Sequence, residues 1–380
     1  MKVLHVVPTY VPAWKHGGPI RSVHGLCKAL VQRGHEVTVF TTDVDTEGAV
    51  PTGRPAALDG VEVWYFPVGP PRRLYRSPAM GKALATHVRG FDRVHLHSVF
   101  LWPTYAAARA AERAGVPYVL SPRGMLVPEL MRTRGRWRKL AWMLLAERRT
   151  LERAAALHAT SALEVEDAAR LDLSLPSVTV VPNGVDPEPW DGEEAALSTP
   201  VRAVLGREPF LLYLGRLSWK KGLDRLIPAM SRVPGVLLAI AGNDEEGIRP
   251  ELERLARDSG VADRAVFLGP VRGADKAALL HRTAALVLPS RSENFGNVVL
   301  EAWAAGRPVA VTPEVGLAAS VRETGAGVIA DGDLGAALRD LLADPQGLDA
   351  MGRRGAEAVR ERFGWPAVAR EMELLYEGIR

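Results

Sequence analysis

The chain has 380 residues, of which 47% are hydrophobic and 24% charged, a balance typical of a soluble globular protein of about two domains. A single cysteine, Cys27, excludes both a disulfide framework and a cysteine-based metal site. No apolar run is long enough for a signal peptide or a membrane span, and we therefore expect a cytoplasmic protein.

The net charge of +4 conceals two halves of opposite sign, since residues 1–186 are net positive and residues 187–380 net negative. Positive charge is densest in residues 131–153, where arginines alternate with tryptophans and leucines. Such a stretch fits the surface of an anionic membrane, and equally a solvated helix whose apolar side chains belong to the core.

The first half alternates between strand and helix patterns. A β-rich run at 2–7 leads through Gly17 and Gly18 into apolar residues at helical spacing, and a second strand follows at 36–42. Together they form a βαβ unit. Further strand patterns lie at 93–99, 117–121, 156–161 and 178–184.

A segment rich in proline and acidic residues, 180–200, separates this half from a second alternating series. The later strand patterns lie at 209–216, 236–242, 265–269, 284–290, 307–312 and 327–330. We expect an α/β fold of two doubly wound, Rossmann-like parallel-sheet domains that face each other across a cleft. The expected bounds are 1–185 and 186–362, with a C-terminal helix in 363–380 that packs on either domain.

The sequence SENFGNVVLEA at 292–302 places two glutamates eight residues apart at the end of a strand pattern. Glu293 falls in the loop and Glu301 inside the following helix, so both can border one ligand. Backbone N–H groups of Phe295, Gly296 and Asn297 lie at the positive end of that helix, which favours an anion such as phosphate. Acids that flank a phosphate site suggest sugar hydroxyls on both sides, as in a nucleotide-sugar.

Two basic residues support this interpretation. Arg216 and Lys221 follow the first strand pattern of the second half, in the sequence LGRLSWKKG at 214–222. Both can reach a diphosphate above the same sheet and neutralise the charge that develops as it leaves. Surface bases after a strand are common, and the pair gains weight only together with the acidic loop.

At these residues the chain resembles the retaining glycosyltransferases of family 4. The sequence ENFGNVVLEA is similar to their Glu-x7-Glu motif, and GRLSWKKG to their phosphate-binding Gly-Arg-Leu…Lys-Gly motif. VVPNGVD at 180–186, the glycine pair at 17–18 and RGHEV at 33–37 also match. The resemblance implies the GT-B fold, with the donor on the C-terminal domain and the acceptor on the N-terminal one.

The resemblance also implies roles for individual residues. Glu293 contacts the donor hexose, Glu301 the ribose, and Arg216 and Lys221 the diphosphate. The remaining residues implied in donor binding are Gly17, Gly18, Val271, Asn294, Phe295, Gly296, Asn297 and Val298. The implied donor is a nucleoside-diphosphate sugar, UDP- or GDP-linked, with no cofactor and no metal.

One residue departs from the family pattern. Many relatives have histidine where SPRGM places Arg123, and arginine takes no proton near neutral pH. Arg123 is left to bind the donor sugar, a phosphate or an anionic acceptor. His97, which shares one strand face with His95, is the nearest alternative for proton chemistry.

The expected activity is transfer of a hexosyl or N-acetylhexosaminyl group to an acceptor hydroxyl with α configuration, in cell-surface polysaccharide or glycolipid synthesis. Membrane contact is peripheral, through 131–153, and no nucleic acid is involved. Three alternatives remain open: a UDP-sugar 2-epimerase, a small-molecule glycosyltransferase, and a non-enzymatic membrane or nucleic-acid binding module. The epimerase needs acid and base groups that the sequence does not offer.

Overall fold

The structure is a computed structural model, and it describes residues 1–13, 18–46, 50–126, 142–171, 173–186, 192–193, 196–207 and 209–379. The side chains of Leu144 and Leu145 are not described either. Gly17 and residues 131–141 of the basic stretch therefore lie outside the described residues.

The chain divides into two compact units. The first comprises Met1–Gly184 together with Trp365–Arg380, and the second comprises Val185–Gly364. These bounds differ by one or two residues from those expected at 185 and 362. The C-terminal helix belongs with the first unit.

The first unit contains an eight-stranded sheet in the order β3-β4-β2-β1-β5-β6-β7-β8. Its strands are β1 Lys2–Val6, β2 Glu36–Thr42, β3 Ala56–Leu58, β4 Val61–Phe66, β5 Arg93–His97, β6 Tyr118–Ser121, β7 Ala156–Ala159 and β8 Val178–Val180. All neighbouring strands are parallel except β3, which runs antiparallel to β4. Because side chains alternate along β1, Val3 and Leu4 enter apolar clusters on opposite faces of the sheet.

Helices cover both faces of this sheet. They are α1 Gly18–Gln32, α2 Pro78–His87, α3 Trp102–Ala114, a π-helical turn Met143–Glu147, α4 Arg148–Glu152 and α5 Ala162–Ala169. Short 3₁₀ turns span Arg72–Leu74 and Val88–Gly90. Ser77 and Ser161 begin α2 and α5 because each side chain accepts a backbone N–H of the first turn.

The second unit contains a six-stranded parallel sheet in the order β11-β10-β9-β12-β13-β14. Its strands are β9 Phe210–Leu214, β10 Leu237–Ala241, β11 Ala265–Gly269, β12 Ala285–Leu288, β13 Val309–Val311 and β14 Gly327–Ile329. Along β9, Leu211 and Leu212 are fully buried in different clusters, as expected of a sheet covered on both faces.

The helices of the second unit follow its strands in alternation. They are α6 Thr199–Leu205, α7 Leu223–Ala229, α8 Arg249–Asp258, α9 Gly273–Arg282, α10 Asn297–Ala304, α11 Ala318–Thr324, α12 Leu334–Leu342 and α13 Pro345–Ala358. The 3₁₀ turns Trp219–Lys221 and Met230–Arg232 and the π-helical turn Val359–Phe363 complete the set. The expected fold class, two doubly wound parallel-sheet domains, is confirmed.

The last helix, α14 Trp365–Gly378, packs in the first unit. Trp365 occupies the space above two glycines, since a Cβ built on Gly25 or Gly184 would lie 2.1 or 2.5 Å from its ring. Arg93 donates from Nε to the Tyr376 carbonyl at 2.7 Å, which ties the helix to β5. In the part of the chain described, no helix has the length and apolar character needed to cross a bilayer.

Candidate functional site

The loops that leave β9 and β12 touch each other backbone to backbone. Gly222, at φ +69°, lies so close to the Pro289 carbonyl that an added Cβ would stand 2.0 Å from its oxygen. The Arg291 N–H donates to the Lys220 carbonyl at 2.7 Å. The neighbouring strands β9 and β12 thus deliver two loops to one point at the carboxyl edge of the sheet, where ligands of such sheets bind.

At this point Lys221 forms an ion pair with Glu293. Each side chain is 19% exposed, so the pair is largely shielded but reachable from solvent. The Glu293 backbone is fixed on both sides: its N–H donates to Glu314, and its carbonyl accepts from Gly316 at 2.9 Å. The structure therefore brings together two of the predicted residues and holds one on a rigid loop.

Arg216 does not join this pair. Its Nη1 lies 2.8 Å from a Glu245 carboxylate oxygen in the loop after β10, and its side chain is 62% exposed. The Tyr213 hydroxyl donates to the Arg216 carbonyl at 2.7 Å. Burial, followed by the negative charge of Glu293, raises the pKa of Tyr213, which remains a protonated donor. The backbone of Arg216 is thus anchored, while its guanidinium lies exposed in a surface ion pair.

Helix α10 begins at a tight turn. Gly296 is its N-cap residue with φ +96°, and an added Cβ would lie 3.1 Å from Val315 and 3.3 Å from Leu288. The Phe295 side chain is buried beneath this turn. Asn294, Asn297 and Val298 are partly exposed around it. The first N–H groups of a helix have no partners within it, so this end can accept an anion.

The second glutamate of the motif has a partner that the sequence did not reveal. Glu301 Oε1 lies 2.9 Å from Lys276 Nζ of α9, and both side chains are less than a fifth exposed. Glu301 Oε2 is buried without a hydrogen-bond partner among the described residues. The sequence did contain one indication of this partner: Lys276 lies three and four residues before Leu279 and Leu280, which places it on the apolar face of α9.

Val271 follows β11 and packs, partly buried, against the core of the second unit. A cavity of about 210 Å³ opens beside it, at the ends of β10 and β11. Phe267, Gly269 and Pro270 contribute to its wall, whereas Val271 does not. The structure places this residue next to a cavity at the same sheet edge as the acidic loop.

In the first unit, four buried histidines and Arg123 gather where β1, β5, β6 and β7 run side by side. The Arg123 guanidinium lies 3.2 Å from Nδ1 of His97, and His97 Nε2 lies 3.0 Å from Nδ1 of His5. Because a guanidinium only donates, His97 must accept at Nδ1 and donate from Nε2. Both nitrogens of His97 are therefore used within the protein. The rings of His95 and His97 stack 4.2 Å apart, which confirms that they share one strand face.

A second directional chain passes through the other two histidines. His158 Nε2 donates to the Val181 carbonyl at 2.8 Å, so its Nδ1 accepts from the Ser121 hydroxyl at 2.6 Å. Ser121 in turn accepts from His95 Nε2, and His95 Nδ1 accepts from the Tyr376 hydroxyl at 2.7 Å. These assignments require neutral imidazoles. Burial lowers the pKa of His158 to about 3, with Arg123 adding to the effect.

The remaining imidazoles are also neutral. Burial, with a smaller contribution from Arg123, lowers the pKa of His5 to about 3. Burial lowers the pKa of His95 and His97 in the same direction. One ring nitrogen from each of His5, His95 and His97 lies within 4.8 Å of the other two, a spacing at which the three could ligate a metal ion. Apart from His5 Nε2, which has no partner among the described residues, the ring nitrogens of these three histidines form the hydrogen bonds above. The guanidinium beside His97 opposes a cation there.

Gly18, the only described member of the N-terminal glycine pair, is the first residue of α1 and is partly buried. No contact of Gly18 with the histidine cluster is described, and the role of Gly17 lies outside the described residues. The glycine pair therefore remains a prediction.

Replacing Gly222 by alanine is expected to cost more than about 2 kcal/mol of unfolding free energy, because the new Cβ would collide with the Pro289 carbonyl. Gly235→Ala is the matched control: it has φ +76° and nothing within 4 Å, so only about 1 kcal/mol of backbone strain is expected. Urea denaturation of both variants, followed by circular dichroism, gives the comparison. Equal losses in the two variants would show that the two loops are not in contact.

Comparison with known proteins agrees with this architecture. Residues 17–184 match the family model "Glycosyl transferase 4-like domain" and residues 200–358 match "Glycosyl transferases group 1". The D-inositol 3-phosphate glycosyltransferase of Xylanimonas cellulosilytica is 31% identical over 99% of this chain and 95% of its own length.

Two solved structures share the fold over nearly the whole of both chains. Sucrose-phosphate synthase from Thermosynechococcus elongatus has a TM-score of 0.75 at 22% identity, covering 99% of this chain and 98% of its own. The Anabaena protein HepE, solved in complex with UDP and glucose, has a TM-score of 0.76 at 18% identity and full coverage of both chains.

Proposed function

Since the chain belongs to the group 1 glycosyltransferases with a glycosyl transferase 4-like N-terminal domain and the GT-B fold, we propose that it is a retaining hexosyltransferase. It moves a hexosyl or N-acetylhexosaminyl group from a nucleoside-diphosphate sugar to an acceptor hydroxyl with α configuration. Membership in this family argues against the epimerase and the non-enzymatic binding module.

The observation that carries the proposal is the Lys221–Glu293 ion pair at the carboxyl edge of the second sheet. The ammonium group has three donors, so Lys221 can hold Glu293 and a phosphate oxygen at once. Glu293 keeps one oxygen for hexose hydroxyls. One pair of side chains thus defines the junction between sugar and diphosphate, where the bond breaks.

The rest of the donor lies along α10 in this proposal. The diphosphate rests on the N–H groups of Phe295, Gly296 and Asn297, between Asn294 and Val298, and Arg216 exchanges Glu245 for a phosphate oxygen. Glu301 binds the ribose through Oε2, which is buried and without a partner among the described residues. Lys276 holds the other oxygen of Glu301 and acts as a positioning residue. The base lies near Val271.

The chemistry follows from charge and position. The acceptor hydroxyl attacks from the face that the diphosphate leaves, and an oxygen of the leaving diphosphate takes the proton. Arg216, Lys221 and the N-terminus of α10 stabilise the departing negative charge, and the two shielded donors, Lys221 and the helix N-terminus, contribute more there than they would in water. Because cationic side chains supply the charge, we propose that no metal and no cofactor take part.

In this proposal His97 has a supporting role in place of the proton chemistry expected of it. Both of its nitrogens are engaged, and burial lowers its pKa well below the usual value. We assign it to positioning Arg123.

The donor is UDP- or GDP-linked, and the UDP bound to HepE favours UDP. The acceptor is a saccharide, a lipid-linked saccharide or a polyol phosphate of the kind named for the Xylanimonas relative. A role in surface polysaccharide or glycolipid synthesis, a cytoplasmic location and peripheral membrane contact through residues 131–153 complete the proposal.

The test is a thermal-shift screen with UDP, GDP and ADP, each alone and as its glucose or mannose conjugate. A ligand that binds the folded state raises the melting temperature. We expect one nucleotide series to stabilise the wild-type protein and Glu301→Ala to lose about tenfold in affinity for that series. A protein that is not stabilised by any of these compounds would not be a nucleotide-sugar enzyme.

A further inference from the structure

The turn after β6 is held in an unusual conformation. Arg123 has φ +56° and Gly124 φ +71°, and the first of these values is uncommon for a residue with a Cβ. Buried Glu164 builds the turn: its Oε1 accepts the Gly124 N–H at 2.6 Å, and its Oε2 accepts both the N–H and the hydroxyl of Thr160. One oxygen of the buried carboxylate thus holds the turn that places Arg123 at the sheet edge, and the other fixes the carboxylate itself on Thr160, which indicates a position under constraint.

The Arg123 guanidinium has only neutral partners among the described residues. It donates to the Asn183 side-chain oxygen at 2.8 Å and to His97 at 3.2 Å, and its buried Nε has no partner within the described part of the chain. Glu164 is close enough to raise its pKa but forms no ion pair with it in the described part of the chain. Burial is the larger effect and lowers the pKa of Arg123 to about 10, which leaves it a cation at neutral pH.

This arrangement is costly for a structural arginine. Unpaired buried charges destabilise proteins by several kcal/mol, and buried arginines usually meet a carboxylate. The residue is nevertheless partly exposed, so a molecule from solvent can approach it. His97 and His5, fixed as neutral tautomers beneath it, add no negative charge. None of the described residues supplies an anion to this guanidinium, so the position is suited to an oxyanion from solution.

We propose that Arg123 is the cation of an oxyanion subsite in the first unit, which takes a phosphate or carboxylate group of the acceptor. The inference rests on the proposed function and names the class of acceptor. The donor diphosphate already has Arg216, Lys221 and the α10 N-terminus in the second unit. Arg123 stands at the carboxyl edge of a separate sheet, where ligands of such sheets bind. Guanidinium groups bind oxyanions through charge-assisted, directional hydrogen bonds.

The test compares acceptors that differ only in charge, in the full-length protein saturated with UDP. Isothermal titration measures D-inositol 3-phosphate against myo-inositol, and glucose 6-phosphate against glucose. We expect the wild type to bind at least one anionic member about tenfold or more tightly than its neutral partner. Arg123→Gln is expected to abolish that preference, and Arg123→Lys to retain part of it.

Two comparisons identify the source of the anion. In Arg123→Gln the affinity for UDP should be unchanged within about twofold. Arg113→Gln, which removes an exposed arginine of α3, should change neither the affinity for UDP nor the affinity for the anionic acceptor. Loss of UDP binding with an intact phosphate preference would assign Arg123 to the donor and overturn the inference. Wild-type protein with no preference in either pair would overturn it as well, whether or not the variants fold.

The proposed transferase function and the anion subsite can be disproved independently of each other. If the wild type binds no nucleotide, the same titrations are run without UDP, and a phosphate preference that depends on Arg123 would still support the subsite. Nucleotide binding without any preference for anions would leave the transferase proposal intact and remove this one.

Discussion

Replacing Lys221 by methionine is expected to lower kcat about a hundredfold, because the proposed mechanism makes Lys221 the cation at the breaking bond. Lys221 is held by its ion pair with Glu293 and by the contact between the loops after β9 and β12. Its charge is therefore preorganised, and removing one such donor typically costs about 3 kcal/mol of transition-state stabilisation. Initial rates of sugar transfer or donor hydrolysis give kcat and KM separately.

Lys220→Met is the matched control, since it removes the same charge from the neighbouring residue. Lys220 Nζ lies 5.9 Å from the Trp219 ring, and its backbone carbonyl accepts from the Arg291 N–H in the loop after β12. We expect its kcat to stay within about threefold of the wild type. Equal kcat values in the Lys221→Met and Lys220→Met variants would show that Lys221 takes no part in the reaction. The double variant Lys221→Met, Glu293→Gln leaves no unpaired carboxylate, and urea denaturation of the double and single variants shows how much stability is lost through an unpaired Glu293.

Lowering the pH from roughly 7.5 to 5 is expected to destabilise the protein strongly through its buried histidines. His5 and His158 have a pKa of about 3 when folded and an ordinary value near 6.5 when unfolded. Below pH 6.5 the unfolded chain binds protons that the folded chain does not, so stability falls as the pH falls. Each of the two contributes a loss of about 2 kcal/mol at pH 5, and His95 and His97 act in the same direction.

One buried acid opposes this trend. Burial raises the pKa of Glu147 to about 7, although its carboxylate accepts hydrogen bonds from the Phe100 N–H and the Trp142 ring N–H. Its folded form takes a proton before the unfolded form does, which restores about 2 kcal/mol between pH 7.5 and 5. Glu147→Gln should therefore steepen the loss of stability on acidification.

Urea denaturation at several pH values in this range measures both effects. A flat dependence in the wild type would contradict the neutral, buried histidines described above. His158→Gln, which cannot titrate, should lose stability less steeply than the wild type even if it begins from a lower value. A steeper loss of stability on acidification in that variant than in the wild type would show that His158 is protonated in the folded protein.

Much of the geometry around the acidic loop could be predicted because it is local. The motif around Glu293 and Glu301 places one acid in a loop and one in a helix, and the order of strands brings the loop after β9 beside it. Both consequences follow from parallel-sheet geometry. The hairpin of β3 and β4 also had a local signal, Asp59-Gly60 with positive φ at both residues, which the sequence analysis passed over.

The remaining features depend on contacts between distant segments. Lys276 meets Glu301 across two helices, and Glu245 meets Arg216 across two loops, and neither pairing is encoded by spacing. The sequence related only His95 to His97, and His5 and His158 join them because the sheet places their strands side by side. The amphipathic pattern of α14 could not show which sheet it covers, because both sheets offer apolar faces.

That helix also has a consequence for synthesis of the protein. The second unit is a continuous segment inserted between two parts of the first, which it divides at Gly184 and Trp365. During translation the inserted unit is complete as soon as residue 364 has left the ribosome. The first unit, although started earlier, must wait for the final helix to cover one face of its sheet. We therefore expect the order of folding to be the reverse of the order of synthesis, and chains truncated before Trp365 to expose the apolar surface of their N-terminal half.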